Sequence, residues 1–408
     1  MSSPARKNLT KEAEAYLAYL AGAFPVMSAT DEFLFFPLVE DSYKYRSSME
    51  NLSAELIGDA LRRAGRALEV AGKSGKAGAG DLDLEIDSWL LRMHAENFIR
   101  TFEVEQEHLS DPSLYFRTAA HGLALVAGDP SCLAGRIRAA AGLFHVGAGQ
   151  LTRSSPQKAQ QGLAWAANFK AFLAGLARAL RDAGDSPALD ALDRLGEEAD
   201  RFARRIERLD TTGGPEALGS ERYSLLIRGA FGLKEDPPRL YELLQQERAR
   251  LAARLYAGAI RQGYRADQWR LAAVDSPPPD LEAAEPVEIY RAELERLARW
   301  LASRLEAGDI DTGEVPEVRV MPAYLKGLRA SASYAAPVGR ERRGIFFVGF
   351  TGERGSSAAR LALHSDYRYI TVHETFPGHH HLDTVRRKLK PAIRAQSENA
   401  LFYEGWSC

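Results

Sequence analysis

The feature that most constrains this chain is the recurrence of apolar residues at helical spacing over its first two thirds. Between 160 and 184 the large apolar residues are Trp165, Phe169, Phe172, Leu173, Leu176 and Leu180, with spacings of 4, 3, 1, 3 and 4. That is one stripe of a helix with 3.6 residues per turn. Tyr290, Leu294, Leu297, Leu301 and Leu305 trace another. Similar patterns predict helices over roughly 5–23, 50–72, 82–107, 189–208 and 238–262. Asp81-Leu-Asp83, Asp111-Pro112 and Asp129-Pro-Ser131 read as helix starts. There an Asp side chain can accept from a free first-turn N–H, and a proline leaves none unpaired. The expected fold is mainly α.

The character changes after about 315. Gly344-Ile-Phe-Phe-Val-Gly-Phe350 is bounded by glycines, rich in β-branched and aromatic residues, and short for a helix. It reads as a strand. Ala330–Ala336, closed by Pro337, reads as its partner, and Val318–Met321 alternates briefly. A small antiparallel sheet is therefore expected. Asp275-Ser-Pro-Pro-Pro-Asp280 cannot continue a helix and marks a linker. The expected organisation is a helical, cleft-forming scaffold over 1–275 and a catalytic region over 276–408.

Composition closes several functional classes. With 53 Lys+Arg against 55 Asp+Glu, the net charge of −2 leaves no cationic excess to neutralise phosphates, so nucleic acid is not the expected partner. No apolar run reaches the ~18 residues needed to span a bilayer, and no membrane partner is expected. Two cysteines, Cys132 and Cys408, are too few for a disulfide framework. The first twenty residues turn amphipathic at once, without a signal core. These features lead to an expected cytoplasmic location. Oligomeric state is not legible.

Histidine is unevenly placed. Five of nine, His364, His373, His379, His380 and His381, lie within 18 positions. Metal binding and acid–base chemistry concentrate imidazoles in this way, although an exposed helix face would too. His373-Glu374-Thr-Phe-Pro377 opens like H-E-x-x-H, in which two His one turn apart bind zinc and the Glu serves as base. Here the i+4 position is Pro377, which cannot ligate. A kink at Phe376-Pro377, with freedom from Gly378, would instead bring His379 to the metal. A catalytic zinc needs a third protein ligand. Glu404, 25 positions beyond His379, has room to return on a second helix. Asp383 is the rival carboxylate, better placed to orient a neighbouring histidine.

The run HETFPGHHH followed by FYEGW resembles the DUF885 family of bacterial metallopeptidase-like proteins, which is similar in turn to helical gluzincins of the thimet oligopeptidase and carboxypeptidase Taq kind. The motif resemblance covers about 373–406. It implies a gluzincin-like fold and a zinc (Zn2+) cofactor. It makes His373, His379 and Glu404 the ligands, Glu374 the general base, and a peptide or small amide the substrate. His379 is preferred to His380 by aligning Gly378-His379 with the Gly-His of the shorter motif. His381 is expected to be solvated or to lie behind a ligand. Candidate oxyanion donors are Tyr334, Tyr367, Tyr369, His364 and His380. Resemblance to gluzincins also suggests that the strand Gly344, Ile345, Phe346, Phe347, Val348 binds an extended peptide along its edge. Family members continue past the Glu-Gly-Trp element, so further substrate-binding groups are expected beyond Cys408. Two other classes fit the residues: a helical interaction protein with a structural or vestigial metal site, and a non-haem iron enzyme with a two-His, one-carboxylate triad. A base directly after the first His favours hydrolysis.

Overall fold

The computed structural model describes residues 3–33, 35–77, 80–184, 186–212, 218–274, 285–304, 314–330, 332–337, 343–349 and 357–408, with backbone only at 183, 186, 272–274 and 357–365. The expected linker over 275–280 and the strand end at Phe350 lie outside these residues. His364 falls in the backbone-only stretch, so its expected role lies outside the described side chains.

The helical body is built from α1 (Pro4–Ala23), α2 (Ala54–Ala77), α3 (Leu82–Ile99), α4 (Glu107–Ser110), α5 (Pro112–Ala124), α6 (Pro130–Gln150), α7 (Pro156–Ala183) and α8 (Ser186–Ile206). The stripe on α7 is buried from Phe169 to Leu180, and Phe169 meets the rings of Phe116, Phe144 and Phe172 at 5.4–6.0 Å. The expected starts are real caps. Asp81 accepts from the Leu84 N–H, Asp111 from the Ser113 N–H and Asp129 from the Ser131 N–H. Asp129→Ala is therefore expected to lower unfolding stability by about 1 kcal/mol, read from urea denaturation. A loss near zero would show the cap to be replaced by solvent.

After α8 come α9 (Gly219–Ala230), α10 (Pro237–Arg261) and α11 (Trp269–Val274), then α12 (Pro286–Arg304). Three short strands follow: β1 (Glu317–Val320), β2 (Ala332–Ala335) and β3 (Ile345–Val348). Their order is β1-β3-β2, with β1 parallel and β2 antiparallel to β3. The sheet is thus mixed rather than antiparallel. This corrects the substrate-strand expectation too. β3 is central, both of its edges are paired over Ile345–Val348, and no peptide can add there. Phe346 and Val348 are buried with Tyr290, Leu294 and Leu297 of α12 in a second apolar core. Gly344 makes room for the Tyr334 ring, since a Cβ there would stand 2.3 Å from that ring.

The chain closes with α13 (Ser357–Glu374), α14 (His379–Arg386), α15 (Ala392–Gln396) and α16 (Ala400–Ser407). Met321, Leu325, Leu328 and Ile393 belong to the same core as the N-terminal helices. No helix among the described residues is long and apolar enough to cross a membrane.

Candidate metal centre

The histidine-rich segment is two helices with a break between them. Pro377 has no N–H to continue the ladder of α13. Across the break the Gly378 N–H donates to the Val372 carbonyl (3.2 Å) and the His381 N–H to the Thr375 carbonyl (3.1 Å). Both bonds reach back six residues, where a regular helix reaches four. The Phe376–Pro377 peptide is cis, and Phe376 is fully buried. Gly378 packs its Cα against the end of α13; a Cβ there would stand 1.8 Å from the His373 carbonyl oxygen. The kink expected from the sequence is therefore a full interruption, and it turns His379 back toward His373.

His373 and His379 lie with ring centroids 4.7 Å apart. Their Nε2 atoms face one carboxylate, at 3.5 Å from His373 to Glu404 and 3.7 Å from His379 to Glu404. His373, Glu374 and His379 also each present a ligand atom within 4.8 Å of the others. The four residues named from the motif thus converge.

Helix α16 fixes this geometry, for reasons the sequence did not show. The Trp406 Nε1–H donates to the Pro377 carbonyl (2.6 Å), and the Tyr403 hydroxyl donates to the His379 carbonyl (3.1 Å). The Tyr403 ring stacks on the His379 ring at 4.9 Å and 14°. Ser407 decides the tautomer. Its hydroxyl donates to the Tyr403 carbonyl (3.0 Å), so its oxygen accepts from His379 Nδ1 (3.2 Å). The Nδ1 atom then carries the proton and Nε2 keeps its lone pair. Burial lowers the pKa of His379, favouring this neutral ring. In that tautomer the Nε2 lone pair faces the Glu404 carboxylate. Such a pair of acceptors, joined by a second imidazole, fits a divalent cation of the zinc type. Cys408 is not a fourth ligand from this side, because its Sγ lies 4.0 Å from His373 Nδ1, the outer ring nitrogen.

Glu374 accepts from the Tyr334 N–H through Oε2 at 2.6 Å. Burial, with the charge of Glu404 adding to it and that amide opposing it, pushes its pKa up to about 7. It opens on a cavity of about 500 Å³ also lined by Asp31, Glu32, Glu398, Glu404 and Arg329. The sequence singled out only the two motif glutamates of this acidic wall. Asp31 and Glu32 stand in an irregular loop with no periodicity to expose them.

The remaining candidates lie elsewhere. His380 is turned away, with Nδ1 on the Tyr334 hydroxyl (3.3 Å) and Nε2 on the Glu314 carbonyl. Asp383 accepts from the Tyr334 hydroxyl (3.1 Å) and from Arg386, so it positions those two groups rather than a histidine ring. Tyr334 contributes its backbone to the cavity while its hydroxyl is committed to Asp383. Tyr367 is buried against Tyr290 in the second core. The Tyr369 hydroxyl contacts Cys408 Sγ (3.4 Å). His381 is buried rather than solvated.

A family model described as "Bacterial protein of unknown function (DUF885)" matches residues 131–408. The chain belongs to this family. The DUF885 motif elements at 373–381 and 402–406 fall inside the match, and the family description assigns no activity. Two solved structures share the fold. One is described as "a putative lipoprotein of unknown function" from Shewanella oneidensis, with 13% identity, TM-score 0.58, and coverage of 100% of this chain and 76% of that one. The other is described as "the putative lipoprotein" from Colwellia psychrerythraea, with 14% identity, TM-score 0.55, and coverage of 98% and 76%. No curated protein matches.

Proposed function

We propose that this DUF885 chain is a zinc-dependent hydrolase of peptides or small amides, a metallopeptidase of the helical gluzincin kind. The observation that carries the reading is the convergence of His373 Nε2 and His379 Nε2 on the Glu404 carboxylate, at 3.5 and 3.7 Å. His373, His379 and Glu404 would hold the ion. Glu374 also reaches the cluster, but it sits one residue after His373 on the helix and is tied to the Tyr334 amide, which suits a base better than a ligand. Zinc bound there supplies positive charge that acidifies water toward a pKa of ~7 and polarises a carbonyl.

The chain's own groups do the rest. Glu374, anchored through Oε2, keeps Oε1 free to take a proton from water and return it to the leaving amine. A deprotonated base is required, so the rate is expected to fall as pH drops through the working pKa of Glu374. The strand that lines the cavity is β2, not β3. The Tyr334 N–H points away from β3 toward Glu374, and alternation along the strand turns the Ala332 backbone the same way. Carboxylates outnumber the single Arg329 on the cavity wall, which favours substrates with a positive charge near the scissile bond.

The test is a mixed peptide library incubated with the zinc-loaded chain, with and without a chelator. Chelator-sensitive cleavage, preferring cationic peptides, is the expected result. Zinc binding with no hydrolysis would favour a vestigial site. A cytoplasmic location belongs to the same proposal and is supported by two cysteines that form no disulfide. Recovery of the chain in a detergent-extracted membrane fraction, in line with the lipoprotein descriptions of the two similar structures, would overturn it.

A further inference from the structure

A second cavity, of about 450 Å³, lies between α3 and α9, and none of the metal-centre residues lines it. Trp89, Met93 and Ile99 of α3 and Leu225 of α9 supply apolar walls. Three features shape it. The chain turns over Trp89 at Gly232, where φ is +69° and a Cβ would stand 2.7 Å from the indole, so that ring is held in place. Asn399 Nδ2 donates to the Ala230 and Phe231 carbonyls (3.3 and 3.4 Å) and reaches Met93 Sδ (3.9 Å), which ties the end of α9 to α3. At its far end α3 gives way to a single π turn over Arg100–Val104, where the Glu105 N–H donates to the Arg100 carbonyl five residues back (2.8 Å). Such turns inside helices occur frequently at functional sites. This one brings Val104, 52% exposed, to the cavity wall.

The charged lining is Arg92, Arg100, Arg222 and Arg228 with Glu96 and Glu105. Arg100 is committed to Glu105 (2.5 Å) and to the face of the Phe35 ring. Arg92 offsets the charge of Glu96. Arg222 and Arg228 are different. Both are exposed, and neither makes an ion pair or a side-chain hydrogen bond among the described residues. They are open to a ligand arriving from solvent, and a guanidinium is well matched to a carboxylate. Apolar walls with a fixed aromatic ring and two uncommitted cations suit an amphiphilic anion. The lining positions from Trp89 to Arg100 run ~16 Å along α3 at 1.5 Å per residue, which an extended acyl chain of about ten carbons matches. We propose that this cavity binds a medium-chain carboxylate, its acyl chain along α3 against Trp89, Met93 and Leu225 and its charged end on Arg222 and Arg228. The site does not depend on the metal reading.

The experiment is calorimetric titration of the full chain with octanoate, decanoate, 1-octanol and octylamine, below micelle-forming concentrations. Octanoate should bind saturably, one per chain. Decanoate should bind about tenfold more tightly, through two further buried CH₂ groups. The alcohol should bind about tenfold more weakly or worse, the typical cost of losing a charged hydrogen-bond partner, and the amine more weakly still. Replacing both cations, Arg222→Gln with Arg228→Gln, should bring octanoate down to the level of the alcohol. Leu225→Glu places a negative charge on the apolar wall at a side chain 62% exposed, and should abolish binding without changing thermal unfolding. Leu244→Glu is the control, at a leucine of α10 that is 67% exposed and outside the cavity, and should leave binding unchanged. If Leu225→Glu lowers thermal unfolding, the double arginine variant carries the test. Absence of saturable binding at about 10 mM octanoate would overturn the proposal. So would equal affinity for acid and alcohol, or tighter binding of the amine. Equal losses in Leu225→Glu and Leu244→Glu would also overturn it, by showing adsorption to exposed apolar surface in place of a site.

Discussion

Glu374→Gln is expected to lower hydrolysis by about 10²–10⁴-fold while leaving fold and metal content unchanged. Glutamine matches glutamate in shape, and its carbonyl oxygen can still accept the Tyr334 N–H now held at 2.6 Å. It cannot take a proton from water. The loss should therefore appear in kcat, with KM nearly constant, because a removed proton acceptor is felt in the transition state more than in binding. Glu404→Ala should behave differently. It removes the carboxylate shared by His373 and His379, so metal content and activity should fall together. If Glu374→Gln cleaves peptides as fast as the parent, Glu374 is not the base and the hydrolytic assignment fails. Of the expected oxyanion donors with described side chains, Tyr334 and His380 are turned onto each other, Tyr367 is in the second core and Tyr369 meets Cys408.

Gly378→Ala is expected to be the most damaging single methyl in the site. An added Cβ would stand 1.8 Å from the His373 carbonyl oxygen and 2.6 Å from that of Val372. Both obstacles are backbone, so no side chain can swing aside. The end of α13 or the start of α14 must move, and either separates His373 from His379. A stability loss of about 3 kcal/mol or more is expected, at or above the upper range for overpacking, together with loss of tight zinc binding. Gly65→Ala is the control. Gly65 is exposed in the middle of α2 with nothing within 4 Å of its added Cβ, so the same change should stabilise the protein by about 1 kcal/mol. Paired denaturation curves would separate the two. Equal behaviour of the variants would mean that the break between α13 and α14 is pliable and does not set the ligand geometry.

The helices and the approach of His379 to His373 were legible because their signals are local. The stripe on α7, the Asp caps at 81, 111 and 129, and the proline one turn after His373 each act within a few residues. The sheet was only half legible. The composition of Ile345–Val348 identified a strand, but nothing local showed that Glu317–Val320 would pair with it in parallel and take its second edge. That pairing is made across a long connection and is decided by packing under α12. The same limit hid the acidic wall of Asp31, Glu32 and Glu398 and the support given by Ser407 and Tyr403. Asp383 was misread for a related reason. Its place on the ligand helix suggested a histidine partner, whereas the fold brings Tyr334 and Arg386 to it.

The central claim is that His373, His379 and Glu404 hold one metal ion through a tautomer set by Ser407. The most direct test is to purify the chain without added metal, measure its zinc content, then add one equivalent of zinc and locate it by anomalous scattering. The account predicts one zinc per chain, ~2.0–2.2 Å from Nε2 of both histidines and from a Glu404 oxygen. A chain that retains no zinc, a peak away from these three residues, or coordination of His379 through Nδ1 would contradict it.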